Sequence, residues 1–102
     1  MNRRGLLQML FTIWDSMAKY RIEVSATAER QLKKIRREDA VRILRSISLL
    51  ASEPRPDGCR KMSGYDHLYR IRVGDYRVIY EIDGKQIVVV ILKIGHPRDV
   101  YR

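Results

Sequence analysis

Polar and apolar positions alternate with period two over residues 67–73 and again over 76–82, and Gly74-Asp75 between them is the signature of a two-residue hairpin turn. One face of this hairpin carries Tyr69, Ile71, Val73, Tyr76, Val78 and Tyr80, and the other carries Leu68, Arg70, Arg72, Arg77, Ile79 and Glu81. Residues 20–24 alternate as a further strand. Ser25 is placed as an N-cap for a helix running to about Arg36, with Ala28, Leu32 and Ile35 on one stripe. A second helix is expected over residues 38–52, with Ile43, Leu44, Ile47 and Leu50 inward and Arg37, Arg42 and Arg45 outward. Pro54, Pro56 and Gly58 end it and open a loop to about Gly64. Asp83-Gly84 is a second hairpin signal, and residues 86–94 are apolar on both faces, as in a buried strand that pairs on its free side with the first. The order is β-α-α-β-β-β, an α+β domain in which a two-helix hairpin packs on one face of a mainly antiparallel four-stranded sheet. The tyrosine and aliphatic face of the first hairpin is the natural floor for the helices, so the arginines look outward.

In that register Arg72 lies directly opposite Arg77, where like charges repel by a few tenths to about 1 kcal/mol. An anion is wanted there. Glu81 on the same face could supply a carboxylate, and Arg70, diagonal to it, could form an ordinary cross-strand ion pair. A guanidinium cluster on a rigid sheet is also how proteins grip phosphate bidentately. The overall charge favours the second use: 21 Lys and Arg against 12 Asp and Glu give +9 and a pI of about 10.1 over 102 residues. Such a balance points to RNA, DNA or an acidic protein as partner.

The single cysteine, Cys59, sits in the Pro/Gly loop with no second cysteine and two distant histidines, which excludes a disulfide framework and a zinc site. No metal or small-molecule cofactor is expected, and a reducing, cytoplasmic setting fits. Residues 1–16 combine two arginines with a short apolar run but lack a small-residue cleavage site and are too short to span a bilayer. They are read as a dispensable leader of uncertain status, with the domain over residues 17–102 and no membrane role.

The chain closes with Gly95-His96-Pro97-Arg98-Asp99-Val100-Tyr101-Arg102, a tail expected to bring an imidazole, a guanidinium and a phenol beside the arginine face. That inventory suits RNA cleavage without a metal: a base removes the 2′-hydroxyl proton, cations stabilise the phosphorane and an acid protonates the leaving oxygen. Tyr101 could be the base if neighbouring arginines stabilise its phenolate, and His96 could be base or acid near neutral pH. Read singly, His96 beside Gly95 and Pro97 is also an ordinary turn residue, and Tyr101 an edge aromatic.

The run from Leu68 to Ile82, LYRIRVGDYRVIYEI, followed by IGHPRDVYR from Ile94 to Arg102, closely resembles the RelE branch of the RelE/ParE toxin superfamily. The resemblance extends over residues 18–102 and includes the loop PRPDGCRK at 54–61. It implies a bacterial or archaeal type II toxin that enters the ribosomal A site, cleaves mRNA and thereby inhibits translation. It further implies neutralisation by a cognate antitoxin, with which the toxin forms an oligomer. In the resemblance Arg70 and Arg72 take the places of a basic strand pair that contacts substrate, Arg77 that of an arginine stabilising the transition state, and Arg98 that of a tail arginine. Tyr101 takes that of a tyrosine that acts as base or orients the 2′-hydroxyl, and His96 stands where some relatives use a histidine. Arginine in place of the lysines common at 70 and 72 can stabilise charge but is a poor proton donor. Two other readings of the same fold remain: a ParE-like inhibitor that poisons DNA gyrase by binding alone, and an inactive domain kept for binding its antitoxin.

Overall fold

The computed structural model describes residues 19–96. The leader over 1–16 and the tail residues Arg98 and Tyr101 lie outside them. Along the chain come β1 (Arg21–Val24), α1 (Ala26–Lys34), α2 (Arg37–Leu49), β2 (Arg60–Lys61), β3 (Leu68–Val73), β4 (Tyr76–Asp83) and β5 (Val88–Gly95). The sheet order is β1-β5-β4-β3-β2, with β1 parallel to β5 and every other pair antiparallel. The last strand pairs with the first as expected, and the pairing is parallel. The strand count is corrected from four to five by β2, a two-residue strand inside the expected loop that pairs with Arg70 and Tyr69. Its sequence has no alternation to betray it, because both residues are exposed cations.

Ser25 caps α1 as its sequence position requires: its backbone is extended (φ −65°, ψ 158°) and its Oγ accepts from the Ala28 amide at 3.1 Å. The two helices are separated by Ile35 and Arg36, both with ψ near 145°, which breaks the helical ladder between them. Ala28, Ile43, Ile47 and Leu50 bury completely against Val78, Tyr80, Val89 and Ile91 of the sheet. Among the described residues no helix is long and apolar enough to cross a membrane.

β5 is apolar on both faces for a specific reason. Its register against β4 runs Ile79↔Lys93 and then Tyr80↔Ile91, so Leu92 is an extra residue without a partner on β4. This bulge reverses the pleat, and Ile91 and Ile94, three apart, both bury in the helix-side core at 0% and 1% exposure. β1 ends at Val24, so β5 beyond it needs other hydrogen-bond partners. Ser25 Oγ donates to the Leu92 carbonyl at 2.9 Å, and the Ile94 amide donates to Gln31 Oε1 of α1 at 2.6 Å.

Beneath β3 and β4, Tyr69 and Tyr80 stack with ring centroids 6.0 Å apart. The buried Tyr80 hydroxyl donates to the Pro54 carbonyl at 2.8 Å and pins the loop after α2 to the sheet. Burial, and then the neighbouring Cys59 thiol, push the Tyr80 pKa well above its ordinary value. Arg55 Nε donates to the Tyr69 hydroxyl at 3.2 Å with its guanidinium 5.3 Å from that ring, and this hydrogen bond raises the Arg55 pKa further. Cys59 is a free, half-buried thiol packed against the core.

Candidate functional site

The outward face of the sheet is assembled by register. In the turn between β3 and β4, Gly74 alone has positive φ (+59°), the pattern of a type II′ hairpin that only glycine adopts readily at this position. That turn sets Arg72 opposite Arg77 and Arg70 opposite Ile79. β2 adds Arg60 opposite Arg70, and β5 adds Lys93 opposite Ile79 and Gly95 opposite Arg77. Directly opposed residues of antiparallel strands project to the same face. Two adjacent rows therefore cross the sheet, one of Arg60, Arg70, Ile79 and Lys93, the other of Arg72, Arg77 and Gly95.

Gly58, Arg60, Arg70, Ile71, Arg72 and Arg77 line a cleft of about 310 Å³ on this face. Arg72 is held over the turn by Nε donating to the Gly74 carbonyl at 2.9 Å. Arg77 is half-buried, and its Nη1 is buried with no hydrogen-bond partner among the described residues. Ion pairs at Arg21–Glu23, Arg36–Glu38, Arg36–Asp39 and Arg42–Asp39 lie outside this cleft. A buried donor left unmade costs about 1–3 kcal/mol, more when charged. A cleft walled by four guanidinium groups, that of Arg77 among them, is chemically matched to a multiply charged oxyanion.

The structure thus brings Arg70, Arg72 and Arg77 together and adds Arg60, which the sequence reading missed. Lys93, also missed, had left a signal: a lone cation in an apolar run must take the exposed face, and the hairpin register then fixes its neighbours. His96 lines a different cleft. With Asp39 and Arg42 of α2 and Val73, Gly74, Asp75 and Tyr76 of the hairpin end, it borders about 210 Å³ on the helix side of the turn. Among the described residues no group of three His, Cys, Asp or Glu side chains is placed to hold a metal ion.

The model of a family described as the ParE toxin of the type II toxin-antitoxin system matches residues 22–101. Toxin RelG of Mycobacterium tuberculosis is 33% identical over 91 residues, covering 81% of this chain and 97% of that protein. A putative RelE toxin of Methanocaldococcus jannaschii is 24% identical, covering 82% and 97%. Among solved structures, an archaeal RelE-RelB complex from Pyrococcus horikoshii superposes with a TM-score of 0.69 at 32% identity, over 76% of this chain and 94% of that one. The isolated E. coli RelE toxin shares the fold at TM-score 0.68 and 18% identity, over 78% and 84%. With its strand register, its outward arginine rows and these relatives in agreement, the chain belongs to the RelE branch of the RelE/ParE superfamily of type II toxin-antitoxin toxins.

Proposed function

We propose that the chain is a ribosome-dependent endoribonuclease that cuts mRNA in the ribosomal A site by metal-independent attack of a 2′-hydroxyl on the adjacent phosphodiester. The observation that carries this reading is the cleft lined together by Arg70, Arg72 and Arg77, with Arg77 Nη1 buried and without a hydrogen-bond partner among the described residues. In the reaction a base takes the 2′-hydroxyl proton, the 2′-oxygen bonds to phosphorus, and the 5′-oxygen leaves with a proton from an acid. The products are a 2′,3′-cyclic phosphate and a 5′-hydroxyl end. Arg77 meets the charge that grows on the phosphorane, and Arg70 and Arg72 hold the phosphate in place. All three stay protonated, so none is the acid or the base. Those roles fall to Tyr101, with Arg98 adding charge from the tail; His96, which lines the separate cleft on the helix side of the turn, is the second candidate that the experiment below tests. The ribosome orients the mRNA and supplies the proximity that an isolated complex lacks.

Several similar solved chains are RelE toxins held in complexes with RelB antitoxins. By the same chemistry the partner of this chain is a cognate antitoxin whose acidic and apolar segment folds as it covers the basic face. The deciding experiment is primer extension on a defined mRNA, with and without programmed ribosomes, for the wild type, Arg77→Ala, Tyr101→Phe and His96→Gln. Cuts that require ribosomes and vanish in Arg77→Ala support the reading, and the two tail variants separate base from acid. No cuts in either condition sink it. The match to a ParE toxin model favours one second reading, gyrase inhibition by binding, which a supercoiling assay on the same protein tests.

A further inference from the structure

Two cations of the outward face have no part in the chemistry above. Arg60 on β2 and Lys93 on β5 stand at opposite ends of one cross-strand row, with Arg70 and Ile79 between them. Both side chains are exposed, and neither has a hydrogen bond or ion pair among the described residues. Three strand spacings separate them, about 14 Å, so the row spans more than one phosphodiester. The neighbouring row carries Arg72 and Arg77. On the far side the next row is Leu68, Glu81 and Val90, and its carboxylate ends the basic strip. The strip therefore has a direction, across the strands, and a finite length.

A merely solvated charged face would interleave its signs, as the helices of this chain do at Arg36–Glu38 and Arg42–Asp39. Here Arg60 opposes Arg70 and Arg72 opposes Arg77, like charge against like in both rows. We propose that Arg60 and Lys93 hold the phosphates flanking the one that Arg77 faces, so that the sheet grips single-stranded RNA across β2, β3, β4 and β5. They are binding residues that fix the register of the strand, and this assignment rests on the endoribonuclease reading. Gly58, beside Arg60 in the cleft wall, has φ +89° and open space where a Cβ would stand, which leaves the entry on that side clear.

The test compares two uncleavable probes by fluorescence anisotropy over a salt series: a 2′-O-methylated tetranucleotide with three phosphodiesters and the dinucleotide with one. Arg60→Gln and Lys93→Gln are each expected to weaken tetranucleotide binding about tenfold and leave dinucleotide binding unchanged. Each should lower the slope of log K against log salt by about 0.7, and Arg60→Lys should retain the wild-type slope. Unchanged slopes in both glutamine variants overturn the proposal, as do equal losses on the two probes or a wild type that does not bind the tetranucleotide. Wild-type cleavage on programmed ribosomes is measured in parallel. Its failure alone brings down the nuclease reading, while the slopes still judge the strip.

Discussion

Replacing Arg77 by methionine should make the fold more stable while removing its activity. Methionine keeps the unbranched apolar stem but deletes the buried Nη1 that has no acceptor, worth about 1–3 kcal/mol of unmade hydrogen bonding. It also removes the opposition to Arg72 across β3 and β4, worth about 0.2–1 kcal/mol. Against this stands the lost packing of a half-buried guanidinium, on the order of 1 kcal/mol. The balance favours the variant by about 0.2–3 kcal/mol, whose middle, near 1.5 kcal/mol, is a rise in Tm of roughly 6–12 °C for a domain of this size. Circular dichroism melting in phosphate-free, low-salt buffer measures it. Inorganic phosphate should then narrow the gap from the other side, because an anion that binds the folded cleft stabilises the wild type by about 1.4 kcal/mol at ten times its Kd and stabilises the variant less, with one guanidinium fewer to hold it. A variant that melts below the wild type without phosphate would refute the premise that Arg77 is held without a partner for the sake of a ligand.

Tyr80→Phe should cost about 1–2 kcal/mol in urea unfolding with an unchanged m value, because it leaves the Pro54 carbonyl without its donor. The pKa of the Tyr80 hydroxyl is raised on folding, so its contribution is fully present below the ordinary tyrosine value of 10.0 and is lost as pH climbs above it. Wild-type stability should therefore fall more steeply above pH 10 than that of Tyr80→Phe. Ile87 holds φ at +57°, a conformation costly for a β-branched residue, and Ile87→Asn should raise stability by about 0.5–1 kcal/mol in thermal melts. Ser25→Ala should cost about 1–2 kcal/mol and increase amide exchange at the N-terminus of α1, since one hydroxyl both caps the helix and serves the Leu92 carbonyl.

What could be read from the sequence was whatever short-range chemistry dictates. Gly74-Asp75 between two alternating runs fixed the hairpin and with it the opposition of Arg72 and Arg77, because a two-residue loop permits one register. Ser25 before an apolar stripe located the start of α1, and Pro54 bounded the loop after α2. The second hairpin was read less well. Asp83-Gly84 looked like a tight turn, but β5 begins only at Val88, since Asp83 Oδ1 accepts from the Lys85 and Gln86 amides at 3.0 Å and stretches the connection through Ile87. The bulge at Leu92 was invisible for a deeper reason. Its carbonyl is satisfied by a hydroxyl 67 residues away, and an apolar run is equally compatible with a regular strand buried on both faces. Arg60 belongs to the same class, because a two-residue strand exists only through the partner that pairs with it. Both omissions bear on function: β2 adds Arg60 to one end of the basic strip, and the bulge sets which residues of β5 face outward and so places Lys93 at the other. Local signals set Arg72 opposite Arg77, while long-range pairing determines how far the row of cations extends across the sheet.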